Sequence, residues 1–462
     1  MLNHTPQVIQ ERSALRINPA KTCQPIGALY AALGIHRCLP YSHGSQGCCS
    51  YHRSHLTRHF KEPVMAATSS FTEGASVFGG QPNLLQGLNT VFTTYNPDVV
   101  AVHTTCLSET IGDDIPQIVG EAHAQGLIPD GKFVIHANTP SYVGSHVIGF
   151  SNMCVAMAKY FATEVDTSKR RSTDKTQVNI VPGFVDPSDM RELRRLAESM
   201  GLRVSMFPDT AGVMDAPQTG KHVFYPEGGT TVEELKNLGR GVATLGLGWF
   251  ASREAAVEVE NRARVPREIL DLPIGVAATD RFLDVLRFRG GTITADIERE
   301  RGQLVDLIVD TQLHFQGKKV AIFGDPDHVL SLTEFCRDLG MIPVHILTGT
   351  PGKQFDRRAK EILGPKFDQT NVKRESDLFL LHQLIKNEPV DLLLGNTYGK
   401  YIARAEDLPF VRVGWPILDR AGHSLLPTLG YNGAIRLVTR MLDALLDRRD
   451  RDATDHEFEL VL

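Results

Sequence analysis

Apolar runs rich in β-branched residues recur along the chain, and most are followed by a turn and then by a helical pattern. Such runs predict strands that are buried on both faces. The predicted strands cover residues 98–102, 133–136, 178–181, 320–323, 343–347, 391–394 and 411–413. Strand, turn and helix in repetition indicate parallel, doubly wound α/β domains, in which ligands bind at the carboxyl ends of the strands.

One segment shows the repeating unit clearly. Residues 318–340 read KKVAIFGDPDHVLSLTEFCRDLG. This pattern predicts a strand that ends at Phe323, a turn over residues 324–327 and a helix that ends near Gly340.

Two segments indicate where the chain divides. The polar stretch TSKRRSTDKTQ, residues 167–177, is typical of a linker, and a helical run over residues 298–315 is closed by Gly317 and two lysines. We therefore predict three α/β domains, at residues 1–170 with an N-terminal arm, 171–315 and 316–462.

Composition excludes several classes of protein. Apolar residues make up 42% of the 462 positions and charged residues 22%, which is typical of globular proteins. Because the chain has 54 acidic and only 49 basic side chains, it has no overall positive charge that would attract nucleic acid or acidic lipid. The start lacks a signal-peptide pattern, and no stretch approaches the roughly 18 apolar residues of a membrane span. We expect a cytoplasmic protein.

The cysteines are the candidate chemistry. Seven is an odd number and too few for a disulfide framework, so we expect reduced thiols. Cys23, Cys48 and Cys106 lie beside turns or at the end of a predicted strand. Thiolates of this kind bind iron-sulfur clusters, and the long spacing excludes a zinc ribbon or ferredoxin motif. From the residues alone, buried structural cysteines remain the more common alternative.

Further distinctive segments accompany these cysteines. They are INPAKTCQP, YSHGSQGCCSYHR, HFKEP, TSSFTEGASVFGG, TTCLSETIGDD, NTPSYVGSHVIGF, VPGF, ERGQLVDLIVD, GDPD, GNTYGK and LGYNGAIRL. Together they resemble the beta chains of nitrogenase molybdenum-iron proteins along nearly the whole sequence.

The resemblance implies a ligand set. Cys23, Cys48 and Cys106 would be this chain's cysteine ligands to an 8Fe-7S P-cluster, and an alpha subunit would supply the remaining cysteines. Ser141, in NTPSYVG, would be a ligand only when the cluster is oxidised; by itself it reads as an ordinary hydroxyl in a Pro-Ser turn. Cys49 is interpreted as a structural thiol.

The resemblance also implies a cation site and a docking surface. Glu62, Asp306 and Asp310 match carboxylates that bind calcium or iron where two beta subunits meet; the alternative is a solvated acidic face. Phe78 and Ile111 match the apolar surface on which an ATP-hydrolysing iron protein docks, although either residue alone would more often be core.

Two polar patterns have structural interpretations. The spacing of Ser70 and Glu73 predicts a capping box at a helix start. His52, His55 and His59 lie at helical spacing, and we interpret them as part of a partly exposed polar helix rather than as a metal site.

The implied activity belongs to an alpha2beta2 oxidoreductase that reduces dinitrogen to ammonia, with the iron-molybdenum cofactor in the alpha chain. This chain would relay electrons, so we expect no catalytic acid, base or nucleophile in it. The sequence has no GxxxxGK[ST] loop and no GxGxxG fingerprint, so nucleotide is assigned to the iron protein and a dinucleotide dehydrogenase is disfavoured.

Four alternatives remain. They are a beta chain of a vanadium or iron-only nitrogenase, a cofactor-assembly scaffold, a dark-operative protochlorophyllide reductase with a 4Fe-4S cluster, and a structural α/β protein. All three cysteines and Ser141 speak against the scaffold. The arm before Cys23 is shorter than in many relatives, so contacts of a longer arm with the alpha subunit would be absent or supplied elsewhere.

Overall fold

The computed structural model describes residues 5–9, 12, 16–164, 176–217, 220 and 223–458. Most of the predicted linker, residues 167–175, lies outside the described residues, and so does the predicted boundary between residues 170 and 171. Gln177, at the end of that predicted linker, is already the first residue of a strand.

The first stretch of the chain contains a sheet of four parallel strands. Its elements are α1 Gln24–Leu33, β1 Cys38–His43, α2 Gln46–Phe60, β2 Ala67–Thr68, α3 Glu73–Phe78, α4 Gln81–Tyr95, β3 Val99–Thr104, α5 Cys106–Ile111, α6 Ile115–Ala124, β4 Phe133–Ala137 and α7 His146–Phe161. The strand order is β2-β1-β3-β4, so β1, β3 and β4 end side by side.

The second stretch contains another sheet of four parallel strands, in the order β6-β5-β7-β8. Its elements are β5 Gln177–Val181, α8 Pro187–Ser199, β6 Arg203–Met206, α9 Val232–Lys236, β7 Thr244–Leu247, α10 Arg253–Ala263, β8 Arg267–Leu270, α11 Gly275–Phe288 and α12 Ala295–Phe315.

The third stretch contains five parallel strands, in the order β11-β10-β9-β12-β13. Its elements are β9 Lys319–Gly324, α13 Pro326–Asp338, β10 Ile342–Thr348, α14 Gln354–Leu363, β11 Asn371–Lys373, α15 Leu378–Asn387, β12 Leu392–Gly395, α16 Lys400–Ala405, β13 Phe410–Arg412, α17 Gly430–Asp452 and α18 Asp455–Phe458.

The three parallel sheets confirm the predicted fold class. All seven predicted strands are present, each displaced by at most one or two residues at its ends, and the 318–340 segment forms β9 and α13 as predicted. The pattern missed six strands, which are β1, β2, β6, β7, β8 and β11. Most of these are short, and β8 is only partly buried, so their runs are not long enough to stand out from loops.

The ends of the chain cross between these stretches. The arm before α1 pairs Pro19 with Asp377 and accepts a hydrogen bond from Leu378 at Asn18, both in the third stretch. Helix α17, the long helix near the end of the chain, packs against α12 and α11 of the second stretch. The domain boundaries therefore stay predictions, since neither terminal segment packs only within its own stretch.

An aromatic cluster lies where the stretches meet. Tyr30 of α1 stacks on Phe60 of α2 with ring centroids 5.2 Å apart, and Phe184 contacts both Tyr30 and Trp415 edge-on. These buried rings fix α1 and α2 relative to the loops after β5 and β13. In the part of the chain that the structure describes, no helix combines the length and apolar character needed to cross a membrane.

Candidate thiol site

Three of the predicted site residues follow the carboxyl ends of three neighbouring strands. Cys48 comes shortly after β1, Cys106 after β3 and Ser141 after β4. Because these strands are parallel and adjacent, their carboxyl ends open at one edge of the sheet. The topology thus brings together residues that are far apart in sequence.

The cysteines also lie at the beginnings of helices. Cys23 is the N-cap residue of α1, Cys48 is in the first turn of α2, and Cys106 is the first residue of α5. Unpaired backbone N–H groups and the positive dipole ends of the longer helices, α1 and α2, favour negative charge there. This placement suits thiolates and an anionic cluster, and the sequence pattern alone did not reveal it.

The thiols are close enough to influence one another. Burial raises the pKa of Cys23; a hydrogen bond with Ser141 opposes part of that rise, and Cys106 adds to it. Burial likewise raises the pKa of Cys48, with smaller contributions from Cys106 and Cys23. Neighbouring thiols with raised pKa values are poorly suited to stay ionised without a cation, which is the role that iron would fill.

The spacing of the thiols fits a cluster better than a single ion. Among the described residues, one set of three His, Cys, Asp or Glu side chains has its ligand atoms all within 4.8 Å, and the three cysteines are not that set. They are half-buried and free of disulfides. The donor set therefore fits a polynuclear iron-sulfur group that spans a wider gap.

Local packing holds the strand-end loops in place. Gly44, between β1 and α2, has φ +148°, and a Cβ there would lie 1.9 Å from Thr105 Oγ1. Ser108 Oγ donates to the carbonyl of His43 at 2.8 Å. Thr139 N–H donates to Thr104 Oγ1 at 2.7 Å. These contacts tie the three loops of the site to one another.

Two residues of the site were not singled out from the sequence. Gln24 Nε2 donates to the carbonyl of Pro140 at 2.8 Å, and Lys21 Nζ donates to that of Gly144 at 2.7 Å. Both flank Cys23 and hold the loop that carries Ser141. Their polar character within KTCQP was the available signal.

Comparison with known proteins gives the family. Residues 23–446 match the family described as nitrogenase component 1 type oxidoreductase. The chain belongs to that family. It is 54% identical to the nitrogenase molybdenum-iron protein beta chain of Clostridium pasteurianum, and the match covers all of both chains. It is 39% identical to the corresponding chain of Azotobacter vinelandii, covering 98% of this chain and 89% of the relative.

Solved structures agree. The structure titled "Nitrogenase Cp1 at pH 6.5" superposes with a TM-score of 0.96 at 54% identity, covering all of both chains. A second, titled "Nitrogenase Cp1 at pH 5", gives a TM-score of 0.67 at 16% identity, covering 97% of this chain and 92% of that one, and so shares the fold. The chain is accordingly a nitrogenase-type oxidoreductase subunit.

The carboxylates predicted for this nitrogenase subunit do not meet within one chain. Glu62 is half-buried just after α2, whereas Asp306 and Asp310 are exposed on one face of α12. They are not part of the set of three close ligand groups in the described residues. The helical face shared by the two aspartates is as predicted.

The predicted docking residues lie at two adjacent helix ends. Phe78 ends α3 with 90% of its side chain exposed, and Ile111 ends α5 and is half-buried. The helix start in this segment is present, but the predicted capping box at Ser70 is wrong. Thr72 is the N-cap residue, and Ser70, with φ +52°, lies before the helix start.

Helix α2 is partly exposed, as interpreted, but its three histidines lie on the buried face. His52, His55 and His59 are all buried. Their face of α2 packs inward, because residues from the second and third stretches provide ring contacts and hydrogen-bond partners that the local pattern does not reveal. For example, the ring centroids of His55 and Trp415 are 5.5 Å apart.

One of these histidines belongs to the set of three close ligand groups, which we call the His59 cluster: His59, Asp186 and His423. His59 Nδ1 accepts the N–H of Ile417 at 2.8 Å, so Nε2 carries the proton and donates to Asp186 at 2.9 Å. A cation on Nε2 would require the ring proton to move to Nδ1, where it would meet the N–H donor of Ile417. The arrangement is that of a hydrogen-bonded tie rather than a metal centre.

Proposed function

We propose that the chain is the beta subunit of a molybdenum-iron nitrogenase component and holds one side of an 8Fe-7S P-cluster through Cys23, Cys48 and Cys106. An alpha subunit supplies the other cysteines and carries the iron-molybdenum cofactor. The observation that carries the proposal is that three half-buried thiols at helix starts lie near enough to influence one another, with Cys48 and Cys106 after neighbouring strands of one sheet. The names of the relatives support it.

In this role the cluster supplies electron storage between the ATP-hydrolysing iron protein and the cofactor that reduces dinitrogen to ammonia. The residues of this chain fix its position and set its surroundings. Thiolates bind iron, the starts of α1 and α2 stabilise negative charge, and half-burial limits the access of water. No proton transfer to substrate is assigned to this chain.

Ser141 is proposed as the ligand that joins only in the oxidised state. Its hydroxyl is near enough to Cys23 to lower the pKa of that thiol, so it lies beside the proposed ligand set. A serine oxygen binds iron well only after losing its proton, and a more positive cluster favours that loss. Ser141 therefore stabilises the oxidised state.

The surface around the site favours a covering partner. Tyr51, Tyr142 and Val143 are exposed near Cys23 or Ser141, and 63% of Tyr142 is accessible. Exposed apolar groups around a half-open ligand set are typical of an interface. We assign this face to the alpha subunit and the surface of Phe78 and Ile111 to the iron protein.

The carboxylates are proposed to bind calcium or iron between two beta subunits. Glu62 of one subunit would face Asp306 and Asp310 of the other, which is in keeping with their separation within one chain and with the oxygen preference of these cations.

The test is anaerobic iron analysis with EPR on the chain co-purified with its alpha subunit. We expect iron in the amount of an 8Fe-7S cluster, lost in Cys106→Ala, and a spectrum altered only in the oxidised state in Ser141→Ala. A 4Fe-4S signal indifferent to Ser141 would contradict the proposal and favour an assembly scaffold or a pigment reductase. Metal analysis of the same sample distinguishes molybdenum from vanadium or iron alone in the alpha cofactor.

A further inference from the structure

The turn that carries Ser141 is held by one buried side chain. Gln24 Nε2 donates to the carbonyl of Pro140 at 2.8 Å and also to that of Val143, the two ends of the turn over residues 140–143. Tyr142 and Val143 point to solvent on the other side. Gln24 thus bridges both ends of the turn from the protein side.

The amide of Gln24 is oriented for this task. Its Oε1 accepts from Asn152 Nδ2 at 3.3 Å, and the same nitrogen donates to the carbonyl of Asn138 at 3.0 Å. This leaves Nε2 facing the two turn carbonyls. Gln24 is only 2% exposed, so bulk water does not compete for its hydrogen bonds to the turn.

The packing around Gln24 leaves little freedom. Gly144 has φ +75°, and a Cβ there would lie 2.8 Å from Gln24 Nε2. Lys21 Nζ holds the carbonyl of Gly144 from the other side of Cys23. The position of the turn is therefore fixed by residues that lie on either side of Cys23 in sequence.

We propose that Gln24 is a positioning residue that holds Ser141 at bonding distance from the cluster and so sets how easily the cluster is oxidised. The inference rests on the proposed redox-dependent role of Ser141. Gln24 is the first residue of α1 and directly follows Cys23, so one side chain fixes the serine relative to a cysteine ligand. Without the bridge, the turn can move outward, and the serine oxygen reaches iron less often.

The test is Gln24→Glu, which keeps the side-chain length but presents an acceptor to two carbonyl oxygens. We expect full iron content and an unchanged reduced state. The midpoint potential for cluster oxidation, measured by anaerobic redox titration with EPR, should rise in the same direction as in Ser141→Ala, because the oxidised state loses an anionic ligand. The double variant should show no further rise. Gln86→Glu adds the same charge on an exposed position of α4 and should leave the potential unchanged.

The outcomes separate this inference from the proposed function. If Ser141→Ala raises the potential and Gln24→Met, which adds no charge, does not, the positioning role is wrong and the serine ligand stands. If Ser141→Ala has no effect, serine ligation is wrong and the role of Gln24 falls with it. Gln24→Met removes the donors without adding charge and should reproduce the effect. Loss of iron in both Gln24 variants would show that Gln24 shapes the Cys23 ligand itself, which would also overturn the inference.

Discussion

The thiol site and the His59 cluster both gather side chains that bind metals, yet their surroundings differ. The cysteines are half-buried, start helices and face a side that this chain leaves open. His59 is fully buried and has both ring nitrogens hydrogen-bonded within the protein. Proximity of ligand types is therefore not sufficient for a metal site, because the free lone pair of His59 is already used in a hydrogen bond.

The His59 cluster instead ties three parts of the chain together. His59 lies in α2, Asp186 precedes α8, and Ile417 follows β13. Burial alone would raise the pKa of Asp186, but the contact with His59 and the nearby His423 lowers it overall, so the carboxylate remains charged. Neither ring nitrogen of His423 has a hydrogen-bond partner among the described residues, and its ring packs edge-on to His59 at 4.5 Å.

The largest expected effect separates two adjacent cysteines. Cys48→Ala should remove most cluster iron because it deletes a proposed ligand, whereas Cys49→Ala should retain it. Cys49 is buried and its thiol points to the carbonyl of Ala67 at 3.7 Å. Iron content per alpha-beta pair is the measurement. Equal loss of iron in the two variants would mean that the thiol site is sensitive to packing rather than to ligation.

A smaller effect is expected at the His59 cluster. His59→Ala leaves Asp186 and the N–H of Ile417 without their partner and should lower stability by about 2–3 kcal/mol, with iron content retained. Thermal unfolding of the anaerobic complex measures this. His59→Gln can still donate a hydrogen bond to Asp186 but cannot accept the N–H of Ile417 equally well. It should therefore lose less stability than His59→Ala. A loss of bound metal other than cluster iron in His59→Ala would instead support a metal site at this cluster.

The smallest effect is a change in acid sensitivity. Burial and the neighbouring His59 lower the pKa of His423 to about 4. In the unfolded chain the pKa of a histidine is about 6.5. Between these values the unfolded chain binds more protons, so stability falls as pH drops from about 6.5 towards 4.

We expect His423→Gln to weaken that pH dependence by roughly 1–2 kcal/mol over the same window. Thermal unfolding measured from pH 7 to pH 4.5 checks it. The control is His123→Gln, because His123 is exposed near the end of α6. An identical pH profile for His423→Gln and the wild type would show that His423 does not remain neutral in the folded state.

Parts of the thiol site could be predicted and parts could not. Cys106 follows a strong apolar run, so its place after a strand was readable. Its meeting with Cys23 was not, because Cys23 lies before the first strand of the sheet and no local pattern encodes a contact between such distant segments. The family resemblance supplied the grouping of the cysteines, and the structure added Gln24 and Lys21.

The sequence by itself determined the class of fold, because buried parallel strands need continuous apolar runs, and it determined which side chains carry sulfur, oxygen or imidazole. Only the tertiary structure decided which of them are satisfied. His59 finds its partners 127 and 358 residues away, and Gln24 reaches a carbonyl 116 residues away. Hydrogen-bond satisfaction is a property of contacts between distant segments, so a polar helical pattern cannot show whether its histidines are buried, paired or free to bind a metal.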